Sequence, residues 1–98
     1  MKTLSEWQKE FGDAARRKFP NIENWNQQDR LLSVLRQLAD VGGAIQNEQG
    51  IFPSKDDAHT DPNHRIAALI ADILVLCHER NLDLDFELGR VLEWFRQT

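Results

Sequence analysis

A single carboxylate in an apolar segment is the residue best placed to do chemistry in this sequence. From Ile66 to Cys77 every residue is apolar except Asp72. Burying an ionised carboxylate without partners costs several kcal/mol, which is large against a net stability of about 5–15 kcal/mol. We therefore expect Asp72 to pair with a cation, to bind a metal ion, to face a wet cavity or to stay protonated.

The preceding segment offers polar partners for Asp72. Arg36, Gln37 and Asp40 lie three and four residues apart, so they share one face of a helix. Carboxylates in such a cluster could hold Mg²⁺, whereas a guanidinium could neutralise them directly. The spacing alone leaves both possibilities open.

Two stretches resemble the MazG-like family of all-α nucleoside triphosphate pyrophosphohydrolases. Residues 36–45, RQLADVGGAI, resemble the family helix whose usual pattern is Glu-Glu-x-x-Glu, and residues 69–74, LIADIL, resemble its second motif, Glu-x-x-Asp. Residues 81–85 resemble the turn before the family's last helix. The resemblance implies a four-helix bundle completed by homo-oligomerisation. It also implies hydrolysis of a nucleoside triphosphate to a monophosphate and pyrophosphate, with Mg²⁺ held by the motif carboxylates.

Most of the family's metal ligands are replaced in this chain. By position, Arg36 and Gln37 stand where two Glu residues are expected, and Leu69 replaces the Glu of the second motif. Asp40 and Asp72 are the two acids retained. The resemblance therefore implies a catalytic activity that is reduced or lost, and it assigns no catalytic residue. Whether the chain is an enzyme stays open.

Three states of the former metal site are considered. In the first, Arg36 pairs with Asp40, Asp72 or both, so that an ion-pair network replaces the metal. In the second, Asp40 and Asp72 keep a residual Mg²⁺ site. In the third, Asp72 is neutral or solvated by water.

A non-catalytic function is the alternative to the enzyme. The chain would then be a helical module for oligomerisation or for binding a nucleotide or a partner protein. Trp25, which lies between two helices, is a candidate for stacking on a nucleobase. We expect the main partner to be the chain itself, as a dimer or tetramer, with nucleotides as a further candidate.

Other clusters favour ordinary structural roles. His59, Asp61 and His64 could form a metal cluster, but a solvated loop with Asp61 as a helix cap is favoured. Glu10 and Asp13 have Glu-x-x-Asp spacing and are interpreted as surface charges. The spacing of Trp7 and Trp94 favours packing in the core or at an interface.

Four helices are predicted to position these residues. The first runs from Leu4 to Phe19, the second from Gln27 to Gln49, the third begins at Pro62 and ends by Asn81, and the fourth opens at Asp83. Apolar side chains at steps of three and four predict the buried faces of the first, second and fourth helices: Leu4, Trp7, Phe11, Ala14 and Ala15; Leu31, Leu32, Leu35, Leu38, Ala39, Val41 and Ile45; and Leu84, Leu88, Val91, Leu92 and Phe95.

The third helix is predicted to be buried nearly all round, at the centre of the core. Gly42 and Gly43 indicate either a bend in the second helix or a close backbone neighbour. Residues 51–62 are predicted to form a polar loop, of a length often associated with function.

Composition limits the classes of protein that fit. Residues 1–98 form a single domain, with 41% hydrophobic and 29% charged residues. A net charge of -4 disfavours nucleic-acid binding. The sequence has no apolar run of bilayer length and no apolar signal core, so we expect a cytoplasmic protein with no membrane partner. The single cysteine, Cys77, is expected to be a buried thiol.

Overall fold

A computed structural model describes residues 1–50 and 61–97. It contains α1 (Leu4–Lys18), a short 3₁₀ helix (Pro20–Asn24), α2 (Gln27–Glu48), α3 (Pro62–Glu79) and α4 (Leu84–Arg96), with no strand in the described ranges. The all-α prediction is confirmed, and the predicted helix bounds agree to within two residues, the largest difference being at the end of α3. The 3₁₀ helix was not predicted. Among the described helices, none is long and apolar enough to cross a membrane.

Local capping explains where the helices begin. Thr3 and Asn26 each accept a hydrogen bond from the backbone N–H three residues later, and the side chains at those later positions return the bond, which completes a capping box at both helices. Asp61 caps α3 and is followed by Pro62, while Asp83 caps α4. The predicted helix starts are confirmed.

The end of α3 depends on a left-handed residue. Asn81 has φ 52°, and its N–H donates to the His78 carbonyl, while the N–H of Leu82 donates to the Cys77 carbonyl at 3.0 Å. These two bonds form a Schellman motif. Gly50, with φ 74°, ends α2 in the same conformation. Both stops were predicted.

Helix α3 lies between α1 and α2 and packs against both. Against α1 the approach is close, because a Cβ atom at Gly12 would overlap the imidazole ring of His78. Helix α2 runs antiparallel to α3, since Ser33 lies beside Asp72 and Asp40 lies beside Arg65. The central place of α3 agrees with the sequence prediction. The core itself is small. The buried apolar residues of the described chain are Ile22, Val41, Ala44, Leu74, Val75 and Cys77.

The predicted buried faces are largely wrong for a single chain. On α2, Val41 is buried as expected, but Leu31, Leu32, Leu35, Leu38, Ala39 and Ile45 are exposed. Helix α3 is not buried all round, since Ile66, Ile70 and Ile73 are exposed. On α1 only Phe11 and Ala15 are partly covered, and on α4 only Leu84 is. The physical reason is that the α2 face turned towards α3 carries polar and small residues, so the leucines point outward.

Helix α4 is the most loosely attached element. It packs against α1 through a small contact that includes a hydrogen bond from Ser5 Oγ to Asp85 Oδ2 at 3.2 Å. Its apolar stripe therefore faces solvent. The glycine pair Gly42 and Gly43 was predicted to mark a bend in α2 or a close backbone neighbour; α2 is continuous through both, and a Cβ atom at Gly42 would meet no described atom within 4 Å. Gly42 has no close neighbour within the described chain.

Candidate functional site

Asp72 lies in the interface between α2 and α3 with both carboxylate oxygens occupied. Arg30 Nη1 donates to Oδ1 at 2.7 Å, and Ser33 Oγ donates to Oδ2 at 2.7 Å. The residue is 8% exposed and Arg30 is 5% exposed. This is the compensation that a buried carboxylate requires, since one cation and one hydroxyl replace the lost water.

Arg30 bridges two carboxylates on α3. Its Nε donates to Glu79 Oε1 at 3.0 Å and its Nη2 to Oε2 at 3.4 Å, in addition to the bond to Asp72. Asp72 and Glu79 are seven residues apart, which is two helical turns, so one guanidinium can reach both. The Trp25 ring lies over the same guanidinium, 5.0 Å from Cζ to the ring centroid. Trp25, Arg30, Ser33, Asp72 and Glu79 are called the Arg30 cluster below.

The charge of Arg30 is secured by its neighbours. Burial by itself would lower the pKa of Arg30, but the hydrogen bonds and charges of Glu79 and Asp72 outweigh it, and the pKa is raised. Arg30 therefore contributes a positive charge to the Arg30 cluster.

The predicted cation was a different arginine. Arg36 is exposed. Asp72 is paired instead with Arg30, which lies six residues before Arg36 on α2. For Asp40 the ion pair seen is a long one to Arg65, with 3.9 Å between Nη1 and Oδ2. The general expectation that α2 neutralises Asp72 holds, but the residue that does so is Arg30, so the predicted pairing of Arg36 with Asp72 is wrong. Arg36 lies three residues, or about one helical turn, after Ser33, the residue of α2 that contacts Asp72.

The register in which α2 and α3 pack against each other keeps Asp40 and Asp72 apart. Ser33 meets Asp72 directly, and Asp40 is seven residues further along α2, which is about 10 Å along the helix axis. One Mg²⁺ holds its oxygen ligands at about 2.1 Å, so it cannot bridge two carboxylates that far apart without a change of structure. Within the described ranges no three His, Cys, Asp or Glu side chains lie close enough together to hold a metal ion. In this arrangement Asp40 and Asp72 are not positioned as ligands of one ion, and the residual Mg²⁺ site stays a prediction.

The other positions of the two resembled motifs lie between those two levels. Leu69 is partly buried, and the Gln37 Oε1 atom is buried without a hydrogen-bond donor among the described residues. An unsatisfied buried amide oxygen costs about 1–3 kcal/mol. Gln37, which stands where the resembled motif has a Glu, thus has its amide oxygen buried.

Trp25 borders an open groove of about 430 Å³. Its lining includes Gly12, Ile22, Val75 and His78, and Glu79 of the Arg30 cluster forms part of its wall. Trp25 is itself partly exposed and already stacks on Arg30. The suggested stacking of a nucleobase on Trp25 stays a prediction.

The remaining candidates have local roles where they are described. Asp61 caps α3 by accepting from the His64 N–H, whereas His59 lies outside the described residues, as does most of the predicted loop of residues 51–62. Glu10 pairs with Lys2 at 3.1 Å, and Asp13 lies 3.9 Å from His78 Nε2. These last two acids are exposed, as predicted.

Trp7 and Trp94 each contact a phenylalanine of their own helix. Trp7 stacks on Phe11 with ring centroids 5.8 Å apart. Trp94 contacts Phe95 edge to face and is largely exposed. Trp7 is 42% exposed and its ring contact lies within α1, so the predicted packing of Trp7 in the core is not seen in the single chain, and both tryptophans stay available for an interface.

Sequence reasoning missed Arg30 and Glu79, which complete the site. The available signal was a second stripe on α2 at steps of three and four, namely Arg30, Ser33, Gln37 and Asp40. Comparisons of the chain with protein-family models, with curated proteins and with solved structures find no match. The likeness to MazG-like proteins therefore depends on the two motifs and the helix order alone.

Proposed function

We propose that this chain is a non-catalytic, self-associating helical module of MazG-like type, whose former metal site is replaced by the Arg30 cluster. The observation that carries the proposal is the large apolar surface that a single chain leaves exposed. The exposed large side chains occur on α2, α3 and α4, and they include Leu31, Leu32, Leu35, Leu38, Ile66, Ile70, Phe86, Val91, Leu92, Trp94 and Phe95. Apolar patches of this extent are typical of protein interfaces.

The surface area supports association quantitatively. The accessible surface is 7658 Å². A compact monomer of 11.4 kDa exposes about 5,800 Å², which leaves about 1,900 Å² in excess. Interfaces of obligate homodimers bury about 1,000–2,500 Å² on each partner, so one partner copy accounts for the excess.

The dimensions of the chain point the same way. Its radius of gyration is 15.5 Å. A compact domain of this length has a radius of gyration of about 12.6 Å. An open arrangement of helices is expected of a protomer that completes its core in an assembly.

Residual pyrophosphohydrolase activity is the second candidate. The feature in its favour is that both retained acids, Asp40 and Asp72, lie on the two helices that carry the resembled motifs. To coordinate Asp72, Mg²⁺ would either bind beside the positive charge of Arg30, which repels it, or displace Arg30 from the carboxylate. Releasing a buried ion pair costs several kcal/mol, so reduced or lost activity is the expected outcome.

Two measurements test the proposal together. Light scattering on the purified chain across micromolar concentrations is expected to give a mass of two or four protomers. Incubation with a panel of nucleoside triphosphates and Mg²⁺ or Mn²⁺ is expected to release no pyrophosphate, and the metals are expected to leave the thermal midpoint unchanged. A monomer throughout this range would refute the association. Pyrophosphate release that is lost in Asp72→Asn would refute the non-catalytic assignment.

A further inference from the structure

The outer face of α2 carries a regular apolar stripe. Leu31, Leu35, Leu38, Gly42 and Ile45 follow one another at steps of four, three, four and three, the spacing of a helix that packs along its length against another. The first three are 53%, 53% and 54% exposed. The opposite face of α2, which includes the buried Arg30 and Ala44, is already covered by α3. The stripe is thus a second packing face on a helix whose first face is in use.

Uncharged residues flank most of the stripe. The exposed positions along one side of the stripe are Gln28, Leu32, Ala39 and Gln46, and none of them carries a charge. On the other side, the charged residue is Glu48, at the C-terminal end of α2. Charged residues make up 29% of the chain, and its net charge is -4. Two copies of an acidic chain repel each other unless the meeting surfaces are neutral. A largely neutral outer face on α2 therefore suits a second copy of the same chain.

The stripe is self-complementary in one orientation. When two copies of α2 run antiparallel about a two-fold axis between positions 36 and 37, Leu35 faces Leu38 and Leu31 faces Gly42. Gly42 has no described atom within 4 Å of where its Cβ would be, so it offers a hollow for a leucine. A parallel pair would instead place Gly42 opposite Gly42 and leave that layer unfilled. Antiparallel helix dipoles also attract each other.

We propose that α2 of this chain packs antiparallel against α2 of a second copy, with Leu35 opposite Leu38 and Leu31 seated over Gly42. This pairing rests on the proposed self-association and specifies which surface produces it. It buries each copy's leucine stripe and leaves the Arg30 cluster on the far side of α2.

Cross-linking between two single-cysteine proteins tests the orientation. In a Cys77→Ala background, one protein carries Gln28→Cys with an affinity tag and the other carries Ile45→Cys without one. The proposed register places these two positions opposite each other, whereas like positions lie seventeen residues, or about 25 Å, apart along the paired helices. After mixing and exchange, a short bis-maleimide is expected to join the two different proteins much more efficiently than two copies of either. Equal joining of like with like would indicate a parallel pair and overturn the proposal. No joining at all would also overturn it.

A glycine substitution gives an independent test. Gly42→Ala is expected to raise the dissociation constant of the assembly at least about tenfold, because two leucines lose their hollows in each dimer. Gly89→Ala is the matched control, since Gly89 is also exposed within a helix and has open space around its Cβ. It is expected to leave the dissociation constant unchanged.

The possible failures can be told apart. A wild-type chain that stays monomeric would refute both the proposed function and this pairing. A wild-type dimer whose dissociation constant is unaffected by Gly42→Ala and by Leu38→Glu would refute the α2 pairing alone. In that case Trp94→Glu on α4 identifies whether the other exposed apolar helix forms the contact.

Discussion

Replacing Arg30 by methionine is expected to be among the most destabilising single changes in this chain. Methionine keeps the apolar stem that packs beneath Trp25 but removes the charge. Asp72 would then be a carboxylate of 8% side-chain exposure with only the Ser33 hydroxyl as a partner. Leaving one member of a buried ion pair unpaired costs about 3–5 kcal/mol.

Two features of the structure place the expected loss of stability near the lower end of that range. Ser33 still donates one hydrogen bond to the Asp72 carboxylate, and Glu79 has a side chain 31% exposed, so water can hydrate it after Arg30 is removed. We therefore expect a loss of about 3 kcal/mol, near the lower end. Arg36→Met is the matched control because Arg36 is exposed on the same helix, and it is expected to change stability by less than about 0.5 kcal/mol.

Urea unfolding followed by circular dichroism measures both variants. Since association stabilises the folded state by mass action, all proteins are compared at one protomer concentration. At an m-value of about 1–3 kcal/mol/M, Arg30→Met is expected to lower the midpoint by about 1–3 M. Adding Asp72→Leu to Arg30→Met is expected to recover most of the loss, because no buried charge is then left unpaired. Equal effects of Arg30→Met and Arg36→Met would refute the assignment of Arg30 as the partner of Asp72.

Three further outcomes follow from single residues. Gly12→Ala is expected to destabilise the fold by about 1–3 kcal/mol because its methyl group overlaps the His78 ring. In a His78→Ala background the same change is expected to stabilise the fold. Chemical denaturation measures both effects. Asn81→Ala is expected to cost about 1 kcal/mol and Asn81→Gly nothing, since φ is 52° there; equal costs would contradict this. Burial raises the pKa of the Cys77 thiol, so the unfolded chain loses that proton first and stability falls as pH rises above the ordinary thiol range. Cys77→Ala is expected to remove this fall, and the native thiol is expected to react with a disulfide reagent more slowly than the unfolded one.

The helices could be predicted from the sequence because their ends are specified locally. A capping box needs only residues three apart, and a helix stop needs one residue that tolerates positive φ, as Asn81 does. The 3₁₀ helix was missed because five residues that begin with a proline are too few to carry a periodic signal. Local chemistry thus determines where the helices lie along the chain.

Which face of α2 is buried could not be predicted in the same way. Two stripes compete on this helix, the leucines and the series Arg30, Ser33, Gln37 and Asp40, and hydropathy favours the leucines. The structure turns the polar stripe inward because Asp72 on α3 requires a cation and a hydroxyl. The need for compensation was visible in the sequence, but the choice between Arg30 and Arg36 depends on a register that only the packed hairpin reveals.

The two faces of α2 contribute differently to the fold: the polar face specifies the register, and the leucine face supplies hydrophobic stabilisation. If α3 slipped by one turn against α2, Ser33 would leave Asp72 and a buried carboxylate would lose a partner, so the Arg30 cluster disfavours other registers. Ion pairs of this kind contribute little net stability, however, and the buried apolar core of one chain is small. The larger hydrophobic contribution must come from the outward leucines, which only a second surface can cover. Folding and association should therefore be coupled, and the unfolding midpoint should rise with protein concentration. A midpoint independent of concentration would mean that the polar interface and the small core suffice to stabilise the folded monomer.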